Sequence, residues 1–236
     1  MNSLDKIYNH TFTLEIGDDL TLKDIDKENY TELEYYVNNT QFYFVHFLSL
    51  LSQLDNAVGL LNNFGYNKKN KISRGDHLTY NVENYMIRVV SVTDRLLQFI
   101  NMAYYLKVDE SKVNYKKIIG NQRIKDSTLE TLYLELKQIL NQYYNDRNSV
   151  VHRHSYANKE LYRLQTLYHT TLTERYIERN SAEEVKKLKY VRSQALKKFT
   201  EKVKLQFAET NEACFGIILR MLDTLHQEYN SNKEKL

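Results

Sequence analysis

No proline occurs in the 236 residues of this chain, and glycine occurs only six times. Proline removes a backbone donor and interrupts helices, and proline with glycine builds the tight turns of all-β folds. A chain this long that lacks both punctuators is free to propagate helix, so long helices with few sharp turns are expected. The length suffices to bury a sizeable core. With 42% apolar and 27% charged residues, the composition is that of a soluble globular protein.

Hydrophobic spacing points the same way. From Leu33 onward Val37, Thr40, Phe44, Phe47, Leu51, Leu54, Val58 and Leu61 recur at steps of three and four, which keeps one helix face apolar. A loop from Phe64 to Tyr80 follows, with Gly65, Gly75 and the basic residues Lys68, Lys69, Lys71 and Arg74. A second helix, from near Asn81 to Leu106, aligns Val82, Tyr85, Val89, Leu96, Ile100 and Ala103. After a polar linker from Lys107 to Lys125, Ser127 and Glu130 form a capping-box signature. The third helix that they open carries the stripe Leu129, Leu132, Leu136, Ile139 and Tyr143. A shorter helix is expected near Ala157 to Thr171. Ser181 and Glu184 repeat the capping signature before a long final helix, in which Gly216 is a candidate kink.

The N-terminus reads differently. TFTLEI at 11–16 alternates polar and apolar, Gly17-Asp18-Asp19 follows, and LTL occupies 20–22, a pattern that admits a short β-hairpin. Residues 1–28 therefore read as an N-terminal segment and 29–236 as one helical-bundle domain. Each apolar stripe needs a neighbour, and an all-α antiparallel bundle with long flanking helices supplies one most economically.

Composition excludes several function classes. The net charge of +3 permits an anionic partner without demanding one. Cys214 is the single cysteine, so an internal disulfide and a cysteine-built zinc site are ruled out. The N-terminus has no apolar signal core and no run is long enough to span a bilayer, so a cytoplasmic protein with no membrane partner is expected. No phosphate-binding glycine loop, HExxH, GxSxG or Glu-x-x-His pattern appears, so no metal or other cofactor is expected. His46, His77, His169 and His226 stand without partners at ligand spacing and read as structural or exposed. The lysine clusters, including Lys116 and Lys117, read first as solvated loop charge and second as phosphate contacts.

One segment departs from this ordinary pattern. YNDRNSVVHRHSY, residues 144–156, packs Arg147, Arg153, His152 and His154 around two valines. Arg147 and His152 form an Arg-x4-His pair, and Arg147 with His154 is Arg-x6-His. Arg163 with His169 and Arg220 with His226 show that such spacings arise by chance. Only Arg147 is followed by Asn, at the end of a well-formed amphipathic helix. On a continuous helix Arg147 and His154 lie about 20° apart around the axis, whereas Arg147 and His152 lie about 140° apart. His152 can join Arg147 only if the helix loosens near Asn148 or a second chain completes the site. A plainer reading also stands: basic side chains at a helix C-terminus complement its dipole and cap free carbonyls.

RNSVVH at the end of the third helix resembles the Arg-x4–6-His motif of the HEPN superfamily, in which Asn, Asp or His typically follows the Arg; here it is Asn148. The upstream segment NYMIRVVSVTDRLLQFIN, residues 84–101, is similar to the corresponding helix of the Cthe_2314-like HEPN branch, and the resemblance covers about residues 80–170. His154 stands where some HEPN toxins carry a tyrosine, and Tyr156 is two residues too late to replace it.

The resemblance implies a metal-independent endoribonuclease whose two protomers bring their motifs together in a shared cleft. His152 would act as general base on the RNA 2′-OH, and Arg147 would hold the phosphate. Asn148 would orient either group. His154 would protonate the leaving 5′-oxygen or substitute for His152, with Arg153, Lys116 and Lys117 contacting RNA. The implied setting is defence, stress response or a toxin–antitoxin pair, with RNA, a second copy and an antitoxin or regulatory protein as partners. The alternative is a non-catalytic HEPN-like module for RNA binding or protein interaction.

Overall fold

The computed structural model describes residues 2–19, 30–65, 72–152, 156 and 158–236. Among them the regular structure is helical throughout, with no strand. The helices are α1 (Ser3–Tyr8), α2 (Thr11–Asp18), α3 (Glu32–Leu60), α4 (Arg74–Ala103), α5 (Tyr115–Ile118), α6 (Thr128–Leu140), α7 (Tyr144–His152), α8 (Lys159–Tyr168), α9 (Thr170–Arg179) and α10 (Ala182–Lys233). The chain divides into two compact units. The first comprises Met1–Gln53, Val90–Asn141 and Asn211–Leu236, and the second Leu54–Val89 and Gln142–Thr210.

The first unit has an aromatic centre. The Phe12 ring lies 5.5 Å from Phe44, 5.8 Å from Phe99, 5.1 Å from His226 and 5.3 Å from Tyr229. This explains why residues 11–16 form α2 rather than the strand their alternation suggests. A helix places Phe12 and Ile16, four residues apart, on one face, where both are buried, and it leaves Leu14 outside at 54% exposure. The His10 side chain accepts the Phe12 N–H as its cap. The second half of the expected hairpin, residues 20–22, lies outside the described residues.

Charged groups tie the same helix down. Glu15 accepts hydrogen bonds from His226 Nε2, Lys233 Nζ and Asn230, and Lys233 also pairs with Asp19. Burial alone would raise the Glu15 carboxyl, but these three bonds outweigh it and hold it below the usual carboxylate range.

In the second unit Tyr85 stacks on Phe207 with ring centroids 3.5 Å apart, amid buried Val82, Val89, Leu161, Leu164, Phe199 and Val203. The helix expected from Asn81 starts earlier, at Arg74, because Ser73 and Asp76 cap each other's backbone N–H groups. Gly75, read as a loop residue, serves packing: a Cβ there would sit 2.7 Å from the Gln165 Cα of α8. The Ser181 box forms as expected, whereas at Ser127 half of it does: Ser127 Oγ accepts the Glu130 N–H, but the Glu130 carboxylate accepts from the Asp126 N–H. α10 runs without interruption through Gly216, where a kink was expected. α9 was not foreseen, although Leu172 and Tyr176 stand four apart on one face; it buries none of its residues.

Candidate functional site

Tyr143 sets the root of the candidate site. α6 ends at Leu140, a 3-10 turn covers Asn141–Tyr143, and α7 begins at Tyr144. The Tyr143 side chain is 1% exposed, shares a 2.7 Å hydrogen bond with Thr210 Oγ1 and meets the Tyr85 ring edge-on at 5.9 Å. Beyond this anchor no residue of α7 is buried.

Asp146, Arg147, Ser149 and Val150 are half-buried, while Asn145, Asn148, Val151 and His152 are exposed. Burial pushes the Asp146 carboxyl above its ordinary range. Measured from Arg147 around the helix axis, Val151 falls at about 40°, Asn148 at about 100°, His152 at about 140° and Asn145 at about 160°. These four make one continuous solvent-open face, with Arg147 at its edge. The Arg147 guanidinium donates from Nη1 to Asn148 Oδ1 at 3.1 Å and has no carboxylate within ion-pair distance among the described residues. Val151, 44% exposed, is an apolar group on this polar face, between Arg147 and Asn148.

The chain does loosen, but at Asn141–Tyr143, before the motif and not near Asn148; from Tyr144 to His152 the helix is continuous. Arg147 and His152 therefore point about 140° apart and lie about 7.5 Å apart along the axis. Within one chain Arg147 and Asn148 are brought together and His152 is not. Arg153 and His154 lie outside the described residues, so the pairing of Arg147 with His154 on one helix face does too. Lys116 and Lys117 are exposed on α5 and belong to the first unit, whereas the motif belongs to the second. Lys68, Lys69 and Lys71 are outside the described residues.

Downstream of the motif the chain is held by contacts that no sequence pattern signals. The Tyr156 N–H donates to Glu83 Oε1 at 2.8 Å, a bond that spans 73 positions and pins the chain just after α7 to α4. Asn158 caps α8 through the N–H groups of Glu160 and Leu161. A cleft of about 180 Å³ opens beside them, where Lys202 Nζ meets Glu160 at 2.6 Å. Among the described residues no three His, Cys, Asp or Glu side chains are grouped to hold a metal ion. Nor, among those residues, is any helix long and apolar enough to cross a membrane.

No curated protein and no solved structure matches the chain. A family match does exist: the Cthe_2314-like HEPN description fits residues 65–211, which contain α4 to α9, the motif and more than half of α10. That span exceeds half of the sequence and reaches past the 80–170 segment that carried the resemblance. By this match, and by its all-helical architecture, the chain belongs to the Cthe_2314-like HEPN family.

Proposed function

We propose that the protein is an endoribonuclease of HEPN type that works as a homodimer, with each cleft shared between two copies of α7. The observation that supports this best is the solvent-open face of α7. It presents an imidazole, two amides and an exposed valine, with a guanidinium at its edge that has no carboxylate partner among the described residues, and a single continuous helix holds Arg147 and His152 on different sides. Two antiparallel copies of such a face, related by a twofold axis, set the arginine of one against the histidine of the other.

RNA supplies its own nucleophile. His152 takes the 2′-OH proton, O2′ attacks the adjacent phosphorus, and the bond from phosphorus to O5′ breaks. Arg147 holds the non-bridging oxygens and stabilises the charge that builds on them, with Asn148 fixing its fork. The 5′-oxygen leaves with a proton, for which His154 is the candidate donor. The products are a 2′,3′-cyclic phosphate and a 5′-hydroxyl, and the scheme requires no metal.

The test is to incubate the purified protein with single-stranded RNA in EDTA and to examine the fragment ends. Cyclic phosphate ends that disappear in both Arg147→Ala and His152→Ala support the proposal. If either variant keeps full activity, the role given to that residue is wrong. RNA binding without any turnover, weakening as salt rises, would identify a non-catalytic module instead.

A further inference from the structure

The first unit carries a cleft of about 270 Å³, walled by Phe42, Tyr43 and His46 of α3, Arg95 and Gln98 of α4, and Glu110 just beyond α4. We propose that it binds a free amino acid with an apolar side chain, held at once by its carboxylate and its ammonium. Every wall residue lies in the first unit and none in α7, so the proposal does not rest on the activity assigned to α7. Phe42, Tyr43 and His46 also precede the segment that matches the family.

Two opposite charges make the first argument. Arg95 and Glu110 share one concave wall, yet they do not pair with each other, and neither has another ion-pair partner among the described residues. Each is held by a neutral group instead. Arg95 Nη1 donates to His46 O at 3.2 Å, reaching from α4 to α3, and the Tyr43 hydroxyl donates to the Glu110 carboxylate. Burial, together with that carboxylate, pushes the Tyr43 hydroxyl above its ordinary pKa and keeps it a donor. Both charges are exposed, so the fold does not require them to be paired. A simple anion drawn to Arg95 meets repulsion from Glu110, and a simple cation meets the reverse. A zwitterion satisfies both, with its carboxylate on the Arg95 fork and its ammonium on Glu110. Gln98 adds to the ammonium end, since its Nε2 donates to Glu110 O at 3.1 Å and leaves its Oε1 to accept.

The remaining walls set the side chain and the size. Phe42 is 55% exposed, and its ring meets Tyr43 edge-on at 5.2 Å and His46 at 4.4 Å. An apolar side chain laid on this ring removes water from it. The backbone that carries Glu110 is fixed in advance. Asn101 bonds both the N–H and the C=O of Val108, and Gln98 holds the Glu110 carbonyl. Little ordering cost is therefore left for the binding step. The volume lies just below the range of about 300–1,000 Å³ for drug-sized ligands, which suits one amino acid and excludes a peptide.

Isothermal titration of the whole protein with L-phenylalanine and L-leucine, and with the N-acetyl and amide derivatives of each, tests the assignment in the millimolar range. At least one of the two free amino acids should bind. Its N-acetyl derivative, which lacks the ammonium, and its amide, which lacks the carboxylate, should each bind at least tenfold more weakly. Arg95→Gln and Glu110→Gln should each lose at least tenfold in affinity for the free amino acid. Their melting temperatures without ligand should stay those of the wild type, because both side chains are exposed and Gln at 110 keeps an acceptor for Tyr43. No binding by either amino acid, a blocked derivative binding as tightly, or unaltered affinity in either variant would each overturn the proposal.

Discussion

α2 and α7 are short helices of similar length, eight and nine residues, and both carry charge, yet the chain treats them in opposite ways. α2 buries Phe12 and Ile16, and its Glu15 is bonded by three side chains from α10. α7 buries nothing, and among the described residues its Arg147 side chain reaches only the neighbouring Asn148. Polar groups that serve the fold are satisfied within the chain, whereas those left unpaired on an ordered helix are available to a partner or a substrate. The contrast marks α7, and not α2, as the candidate functional helix without reference to the family.

The largest expected effect lies on α7. Arg147→Ala and His152→Ala should each lower RNA cleavage by about 100-fold to 10,000-fold, as when a general base or an oxyanion donor is removed. Next comes α2. Phe12→Ala should cost about 3–5 kcal/mol of stability, because it empties the centre of an aromatic cluster. A lower urea midpoint at unchanged slope would show it. Gly75→Ala checks that the tolerance of α7 is not looseness of its whole unit. Its new Cβ would meet the Gln165 backbone at 2.7 Å, so a loss of about 1–3 kcal/mol is expected.

Smaller effects arise from charge. The Glu15 carboxyl is held below its ordinary pKa, so its contribution is fully present above that ordinary value and is lost as pH falls through the lowered one. Glu15→Gln should therefore be less stable than the wild type near neutrality, with the difference shrinking in acid below about pH 4.5. The smallest change is again on α7, where Arg147→Ala and His152→Ala should alter stability by no more than about 0.5 kcal/mol. A large loss in either would mean that α7 serves the fold after all.

The same two helices show how far the sequence could be read. α3, α4 and α6 were legible because their apolar residues recur at helical spacing and are buried as that spacing requires: Val82, Tyr85, Val89, Leu96, Ile100 and Ala103 all lie inside. α2 was misread because Thr-Phe-Thr-Leu-Glu-Ile fits a two-residue period, and the partners that decide the matter, Phe44, Phe99, His226 and Tyr229, are distant in sequence. Arg147 and Asn148 were legible as a pair, and the helical offset between Arg147 and His152 could be calculated in advance. The position of the 3-10 turn was not, since it depends on the burial of Tyr143 against Tyr85 and Thr210.

The central claim is that two copies of α7 complete each other. It can be tested by mixing inactive Arg147→Ala with inactive His152→Ala under conditions that exchange subunits. Each mixed dimer would contain one cleft with both groups intact, so cleavage should return to roughly a quarter of the wild-type rate at equal ratio. No recovery, with subunit exchange verified, would contradict the shared cleft.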